Sequence, residues 1–500
     1  MPIPAEILAV ERPKNTVVVC YGKNKDRYAV RQRIGCKRVN GSNRPVTGPT
    51  IGHIVKLKYE PINKSEPTSL SSSPIDLKDW ANIALCDKLF KSILDYELLK
   101  VFHSNDAQII YAISILRVCY PGIKDCELKE AYDTSFLSEF YPDVPLSKNS
   151  VSTFLNKLGK RPSRIIQFMR NRTSNISIDH HLLIDGTLKS NESDVNSFSD
   201  FSYKAKTKGT RDISVLYAYD FELEEPICSK CFPGNMLDLT SFETFISENG
   251  ITKGFIVADK GFPSNSAWKY FSQNPDLHYL NPIKRNSKLI KQNLMLEMND
   301  QLEGYAGITY KKAKVFNKNK WLYSFRDSAK AAKEEMDWLA ITKRNGKYSH
   351  QLLLQKQKTF GVIVLESDCD LTPVEAYKAY MCRWKIEVVM KFYKSVCEFD
   401  ETRVHDDYSV IASEFCDFLS TLLTFKLLKI FKQTKLTENY PYKKIMKVLE
   451  KAKRIRWQNN EWKFVKINPS YEEILKVFGI IEPPPKEPAK KRGRPKKVAI

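Results

Sequence analysis

The pattern of apolar and polar positions changes character several times along the chain. Short runs of β-branched and aromatic residues predict a small β module over residues 1–70, with a turn-rich segment at residues 40–50 between two of its strands. A segment rich in serine and proline at residues 66–76 predicts a linker. Apolar residues then recur at three- and four-residue spacing, which predicts a helical region over residues 76–175.

The end of the helical region has two interpretations. Residues 146–172 contain a short helix with Ser147 or Ser150 as N-cap, a turn with a glycine, and a basic helix. This layout fits a helix-turn-helix that grips DNA ends, which would make residues 76–175 a DNA-binding domain. It fits equally an ordinary pair of helices whose lysines are solvated.

Strand periodicity begins at Asp179. Three strands, a helix and a further strand are predicted in that order, at residues 181–187, 211–220, 224–234, 241–250 and 253–262. Antiparallel strands followed by a helix and another strand are the layout of a ribonuclease-H-like fold. We therefore expect a mixed α/β protein whose largest domain spans residues 179–480.

Residues 290–368 are too many for a direct connection within such a domain. Their strand-like runs predict a β-rich insertion, with strands at residues 307–316, 320–327, 338–345 and 358–368. Beyond the insertion, residues 408–431 and 442–456 predict helices that flank the domain. Glu414 and Asp417 interrupt the first of them, so it reads as a buried helix and not as a membrane span.

A long helix is predicted to begin at Thr372. This residue can serve as N-cap, Pro373 suits the first helical position, and Glu375 completes a T-x-x-E capping box. At about 100° per residue, the side chains of the following turns can be assigned to faces of the helix.

One face of this helix carries chemically useful groups. Tyr380, Arg383, Glu387 and Lys394 fall within about 60° of one another on an ideal helix. The carboxylate is a ligand for a hard cation, and arginine forks onto phosphate oxygens. The face therefore suits a metal ion with phosphates, although a charged helix face can also be merely solvated.

Two upstream aspartates add to this set. Asp185 and Asp259 each follow an apolar run and have a glycine nearby, as expected where a buried strand emerges into a site. One such aspartate is commonly a turn former. Together with Glu387, the two predict a site built from three carboxylates.

The spacing Y-(2)-R-(3)-E-(6)-K at residues 380–394 resembles the signature of the DDE transposases of bacterial and archaeal insertion sequences, in particular the insertion-sequence-four group. The resemblance covers roughly residues 180–480. Transposases of that group also have a β-rich insertion at this place in the chain.

The resemblance implies that Asp185, Asp259 and Glu387 bind two Mg²⁺ ions, with Mn²⁺ as a substitute, while Tyr380, Arg383 and Lys394 position phosphates. It implies cut-and-paste transposition through a DNA hairpin. The partners would be the terminal inverted repeats and the target DNA, with the protein a dimer in that complex. A flipped base would stack on an aromatic side chain, and the sequence does not choose between Trp321 and Trp338 of the insertion.

Two alternative functions remain open at this point. A ribonuclease-H-like nuclease without strand transfer would not need the tyrosine, arginine and lysine around Glu387. An inactive, domesticated DNA-binding protein would have no use for three acids that repel one another in one cleft.

The composition agrees with a polyanionic partner. The chain has 500 residues, 42% of them hydrophobic, and 80 lysines and arginines against 58 acids give a net charge of +22. No stretch is long and apolar enough for a membrane span, and the first residues lack the layout of a signal peptide. We therefore expect a cytoplasmic, nucleoid-associated protein.

The last segment, residues 481–500, is rich in proline and lysine, which predicts a disordered basic tail. Arg492, Gly493 and Arg494 resemble an AT-hook, in which the arginines lie in the narrow minor groove of A·T-rich DNA. A tail that is only basic is the alternative.

Removing residues 486–500 tests the two interpretations of the tail. The truncation deletes these basic side chains: Lys486, Lys490, Lys491, Arg492, Arg494, Lys496 and Lys497. Each phosphate that the tail no longer neutralises should flatten the slope of log affinity against log salt by about 0.9. A minor-groove hook should also lose its preference for A·T over G·C duplexes in the same salt series. An equal loss of affinity on both duplexes would contradict the AT-hook and support the alternative, a tail that is only basic.

Overall fold

The computed structural model describes most of the chain, in these ranges: 3–21, 27–39, 42–62, 75–191, 193, 195–201, 210–236, 238–258, 268–402, 404–457, 461–465 and 467–480. The chain divides into two compact units. The first comprises Met1–Ile75 and Trp457–Asn460, and the second comprises Asp76–Arg456 and Glu461–Ile500. Most of the expected linker at 66–76, and the whole tail at 481–500, lie outside the described residues.

The first unit is built on an antiparallel sheet in the order β1-β2-β3-β4. Its elements are α1 (Ala5–Leu8), β1 (Thr16–Tyr21), β2 (Arg27–Val39), β3 (Ser42–Val55) and β4 (Lys58–Pro61). Val18, Val30 and Ile54 form its small buried core.

The turn expected over residues 40–50 is wrong for most of its length, because β3 already begins at Ser42. Val39 pairs with Ser42, so only two residues join the strands, and those two are outside the described residues. Their sequence is Asn-Gly, the strongest short signal for a two-residue hairpin connection. The residues from Ser42 onward therefore pair with β2 instead of forming a turn.

The second unit is a mixed α/β structure, as expected. Its helices are α2 (Ala81–Ile93), a π-helical turn (Leu94–Leu98), α3 (Ser104–Cys119), α4 (Leu128–Asp133), α5 (Leu137–Phe140), α6 (Lys148–Gly159), α7 (Pro162–Thr173), α8 (Asp238–Glu248), α9 (Trp268–Gln273), α10 (Lys288–Gln292), α11 (Ser328–Arg344), α12 (His350–Gln357), α13 (Pro373–Cys382), α14 (Trp384–Ser395), α15 (Asp407–Gln433), α16 (Leu436–Asn439), α17 (Tyr442–Lys451) and α18 (Pro469–Val477).

Its strands are β5 (Ile75–Asp79), β6 (His181–Ser190), β7 (Asp200–Phe201), β8 (Arg211–Asp220), β9 (Glu225–Pro233), β10 (Gly254–Ala258), β11 (Leu277–Pro282), β12 (Asp300–Gln301), β13 (Ile308–Lys314), β14 (Trp321–Asp327), β15 (Val362–Ser367), β16 (Lys453–Trp457) and β17 (Lys463–Phe464). Strands β17, β16 and β5 form a separate small sheet.

The large sheet has the order β12-β13-β14-β15-β11-β10-β6-β8, and both β7 and β9 pair with β8. Strands β6, β10 and β11 are parallel, whereas β8 is antiparallel to both β6 and β9. The insertion does not form a sheet of its own, because β15 pairs with β11 and so extends the same sheet.

Two predicted elements of the second unit are wrong. Residues 338–344 belong to helix α11 and Asn345 is its C-cap, and the apolar side of this helix packs Ala331, Trp338 and Leu339 into a small cluster. The Asp327 carboxylate caps this helix by accepting from the Ala329 and Lys330 N–H groups at 3.0 Å. The helix predicted at 442–456 ends at Lys451, and its last residues form β16.

Helix α15 is the buried helix predicted from the sequence. It is 27 residues long and most of its side chains are buried, including Glu414 and Asp417. Helix α6 passes it so closely that a Cβ atom on Gly159 would lie 1.8 Å from the Tyr408 carbonyl oxygen, which restricts this position to glycine. Among the described helices, none is both long and apolar enough to cross a bilayer.

A buried charge cluster connects α15 to its neighbours. The Lys189 ammonium on β6 lies 2.5 Å from Glu414 and 2.7 Å from Asp417, and Arg117 on α3 lies 2.7 Å from Asp417. The Tyr393 hydroxyl of α14 donates to Glu414 at 2.9 Å. Burial alone would lower the pKa of Lys189, but the two carboxylates raise it above its ordinary value, so the ammonium stays charged.

The helical pair at 146–172 is present as α6 and α7, with Ser147 as the N-cap that accepts from the Ser150 N–H. The arginines of α7 bond to the protein itself. Arg172 is buried between Glu97 and Glu225, and Arg170 donates to the Glu248 carbonyl. These contacts give no support to α7 as a recognition helix, and DNA binding by this region stays a prediction.

Replacing Lys189 with methionine should destabilise the protein strongly. The change leaves Glu414 buried with its main cation removed, and breaking a buried pair in this way costs about 3–5 kcal/mol. Lys129→Met is the matched control, because it removes an exposed pair with Asp133 that is worth at most about 0.5 kcal/mol. Urea unfolding of both variants measures the difference, and equal midpoints would contradict a structural role for the cluster.

Candidate active site

Thr372 and Glu375 define the start of the helix that carries the Y-R-E-K spacing. The Thr372 hydroxyl oxygen accepts from the Glu375 backbone N–H at 3.2 Å, and the Glu375 carboxylate accepts from the Thr372 backbone N–H at 2.8 Å. Pro373 occupies the first helical position, where an N–H would have no helical partner. The predicted capping box is confirmed.

The prediction of one continuous helix is wrong at Arg383, which separates α13 from α14. There the Arg383 N–H donates to the Tyr380 carbonyl at 3.1 Å, and the Ile386 N–H donates to the Arg383 carbonyl at 3.1 Å. These bonds span three residues instead of four and tighten the turn. Face angles calculated for one ideal helix therefore do not apply across Arg383.

Three residues of the motif nevertheless lie together. An Arg383 guanidinium nitrogen is 3.3 Å from the Glu387 carboxylate, and the guanidinium carbon is 5.8 Å from the centre of the Tyr380 ring. The Arg383 side chain is only 13% exposed, whereas the Glu387 side chain is 45% exposed. The arrangement combines a solvent-accessible carboxylate with a guanidinium fixed beside it, as binding of a cation and a phosphate requires.

Lys394, the fourth residue of the motif, is near a different carboxylate. Burial raises the pKa of Asp212 on β8, and the nearby Lys394 ammonium opposes that rise. Asp212 pairs with Ser190 at the end of β6. Lys394 thus lies on the last turn of α14, within electrostatic range of Asp212.

Asp185 lies within β6 and not at its end, because the strand continues to Ser190. The aspartate is half-buried, and one of its carboxylate oxygens accepts from the Gly186 N–H at 2.8 Å. The apolar run before it ends at Ile184, which explains why the sequence suggested a strand end. The ladder continues because the following residues pair with β8.

Helix α14 packs on the sheet face that carries Asp185. Asp185 pairs with Tyr217 on β8, and directly paired residues have their side chains on the same face of a sheet. The Tyr217 ring lies 5.4 Å from the ring of Tyr393 on α14. The helix of Glu387 therefore covers the face to which Asp185 points.

Asp259 lies outside the described residues, as do Arg492 and Arg494 of the tail. The described part of β10 ends at Ala258, the residue before Asp259 in the sequence. Ala258 pairs with Ile184, the residue before Asp185. Strand β10 thus runs parallel to β6, and its last described residue lies beside Ile184.

These strands and the motif helices belong to one continuous part of the chain. Residues 177–410 match the family model of the transposase DDE domain. The matched segment is just under half of the chain, and it includes Asp185, Asp259 and residues 380–394. The match supports transposase function for this chain. No curated protein matches the chain.

Proteins with a transposase DDE domain generally use a divalent metal ion. Two other groups in the described part of the chain have ligand atoms close enough to hold an ion: His180 with Asp220 and Glu222, and His278 with Asp368 and Cys369. In both groups the histidine Nδ1 is already hydrogen-bonded to the aspartate, at 2.7 and 3.1 Å. Burial raises the pKa of the Cys369 thiol to about 12, which disfavours the thiolate that metals bind.

One exposed aromatic residue beside the Y-R-E-K motif was not anticipated from the sequence. Trp384 opens α14, is 49% exposed, and its ring centre lies 5.4 Å from the Arg383 guanidinium carbon. The only sequence signal was its place next to Arg383. In the insertion, Trp338 packs against Phe360 in a small apolar cluster, whereas the Trp321 ring is 4.8 Å from the Lys312 ammonium.

Proposed function

We propose that the chain is the transposase of an insertion sequence and that it cuts and joins DNA with two divalent metal ions held by Asp185, Asp259 and Glu387. One observation carries the proposal. Helix α14, with the exposed carboxylate of Glu387, covers the sheet face of Asp185 within a segment that matches the transposase DDE domain.

The order of the central strands supports a ribonuclease-H-like fold for this domain. Strands β9, β8, β6, β10 and β11 are adjacent in that order, and only β8 runs antiparallel to the other four. The predicted strand and helix succession has this same layout. The insertion between β11 and α13 then enlarges the sheet from its β11 edge.

The residues present fit a hard divalent cation such as Mg²⁺, with Mn²⁺ as a substitute. Carboxylate oxygens are the ligands that such ions prefer. Glu387 is exposed and Asp185 is half-buried, so both described carboxylates are accessible to an ion. The chemistry that two such ions supply is activation of the attacking oxygen and stabilisation of the leaving oxygen.

The other residues of the motif would hold DNA at the cleavage point. Arg383 is held by its ion pair with Glu387 and by cation–π contacts with Tyr380 and Trp384, so its guanidinium is oriented before DNA binds. A guanidinium held in one orientation can bind a phosphate with two hydrogen bonds. Lys394 would add a positive charge near the end of β6.

The reaction we propose is cut-and-paste transposition through a hairpin. Water releases the 3′ end of the element, the new 3′ hydroxyl attacks the opposite strand, and a second water opens the hairpin before the end joins target DNA. The substrates are the terminal inverted repeats and a target duplex, bound by a dimer in the nucleoid. Residues 76–175 and the AT-hook-like tail would supply further DNA contacts.

The test is cleavage of a duplex that carries the inverted repeats flanking the gene, with Mg²⁺, followed on a denaturing gel. Glu387→Gln, Asp185→Asn and Asp259→Asn should each abolish cleavage but leave DNA binding in a mobility-shift assay. Loss of a residue that only supports a metal ligand already lowers metal affinity or activity about 10–100-fold. Loss of a direct ligand should therefore lower the cleavage rate further. Glu438→Gln, at an exposed position of α16, is the matched control and should cut normally.

Each contrary result has a separate meaning. Substantial Mg²⁺-dependent cleavage by the Glu387→Gln protein would contradict the proposed site. Cut ends without any joined product from the unmodified protein would indicate a nuclease without strand transfer. Binding without cleavage by the unmodified protein would indicate a domesticated DNA-binding protein.

A further inference from the structure

The hairpin of β2 and β3 in the first unit extends beyond the sheet to which it belongs. The two strands have 13 and 14 residues, and their inner parts contribute Val30 and Ile54 to the small core. Strand β1 pairs with β2 only as far as Gln32, and β4 pairs with β3 only from Gly52 onward. Just beyond these points, the Arg33 N–H donates to the Asn15 carbonyl and the Ile62 N–H donates to the Ile51 carbonyl. From Gly35 to the tip, the described pairing of each strand is with the other strand alone.

We call residues 32–37 and 43–47 the distal ribbon. All side chains from 32 to 37 are exposed, and so are those from 43 to 46. The pairing shifts register on both sides of Arg33 and is regular from Gly35 to Lys37. Successive side chains of this regular part point to opposite faces, so both faces of the ribbon are open there. Isolated two-stranded ribbons are at best marginally stable in water. No residue of the ribbon belongs to the small described core of this unit, so packing in that core does not explain the ribbon's length.

The distal ribbon concentrates positive charge. Residues 27–55 include six lysines and arginines and no acid. Lys37 pairs directly with Arg44 across the ribbon, and like charges placed opposite each other are destabilising. Among the described residues, no ion pair joins Arg33, Lys37 or Arg44 to an acid. A partner with closely spaced negative charges would relieve this repulsion.

The shape of the ribbon selects the kind of polyanion. A two-stranded β-ribbon fits the major groove of B-form DNA, which is about 12 Å wide, whereas the major groove of A-form RNA is too narrow for it. Six residues of extended chain span about 20 Å, which corresponds to roughly six base pairs. Gly35 and Val46 share the face of Lys37 and Arg44, and Gly35 has open space around it.

We propose that the distal ribbon is a DNA-binding arm that lies in the major groove of duplex DNA, with Lys37 and Arg44 on the flanking phosphates. The proposal rests on the proposed function in one respect, since a transposase must hold duplex DNA. It adds a contact surface to the first unit, outside the segment that matches the transposase DDE domain.

A salt series on the full chain tests the charge of the ribbon. Lys37→Gln with Arg44→Gln should flatten the slope of log affinity against log salt by about 1.8, at about 0.9 for each phosphate that is no longer neutralised. Lys56→Gln with Lys58→Gln removes the same charge from exposed positions at the opposite end of β3, and should leave the slope unchanged. Equal slopes for the two double variants would overturn the proposal.

Methylation of DNA by dimethyl sulfate tests the groove. Guanine N7 lies in the major groove and adenine N3 in the minor groove, so one reaction reports both. The unmodified protein should protect guanine N7 over about six base pairs, and the Lys37→Gln, Arg44→Gln protein should lose only that part of the footprint. Protection of adenine N3 in its place, or a footprint that does not change, would overturn the proposal.

The two proposals fail separately in these experiments. Loss of guanine protection in the ribbon variant, without Mg²⁺-dependent cleavage by the unmodified protein, would overturn only the proposed function. Normal cleavage with an unchanged footprint would overturn only the ribbon arm. Absence of any duplex DNA binding by the unmodified protein would overturn both.

Discussion

The buried contact between Lys189 and the carboxylates of Glu414 and Asp417 is the interaction on which the rest of the second unit depends. Lys189 follows Asp185 by four residues on β6, so both side chains point to the same sheet face. Tyr393 follows Glu387 by six residues on α14 and donates to Glu414. One polar cluster thus connects the strand of the first aspartate to the helix of the glutamate.

A buried cluster of this kind fixes position more than it adds stability. Ion pairs taken out of water gain little net free energy, yet removing one partner is costly because the other charge remains buried. Any displacement of α14 along the sheet would have to break the bond from Tyr393 or separate Glu414 from Lys189. The cluster therefore restricts the relative position of Asp185 and Glu387, which is what a shared metal site needs.

The sequence predicted the elements whose signals are local. Strands β6, β8, β9 and β10 and helix α8 follow from apolar periodicity, and the start of α13 follows from the Thr372 and Glu375 capping box. The break at Arg383 and the helical state of residues 338–344 were not predicted. In both, backbone hydrogen bonds and packing outweigh the local preference, as the apolar cluster around Trp338 shows.

The candidate site was found from spacing and not from its supporting contacts. Asp185 and Glu387 were selected by an apolar run and by the Y-R-E-K spacing. Lys189 and Glu414 are 225 residues apart in the sequence, and no local sequence pattern predicts a contact over that separation. The same limit applies to the distal ribbon. Its residues are those of β2 and β3 that lie beyond the ends of the pairing with β1 and β4, and the local sequence of β2 and β3 does not predict where that pairing ends.

The most direct test of the central claim is cleavage of the protein by its own bound metal. Fe²⁺ in place of Mg²⁺, with ascorbate and peroxide, should cut the backbone next to the ion, and mass spectrometry locates the cuts. If the three carboxylates bind the same ions, the cuts should fall near residues 185, 259 and 387. Excess Mg²⁺ should suppress all three cuts together. Cuts near residues 278 and 368 with none near 387 would contradict the account.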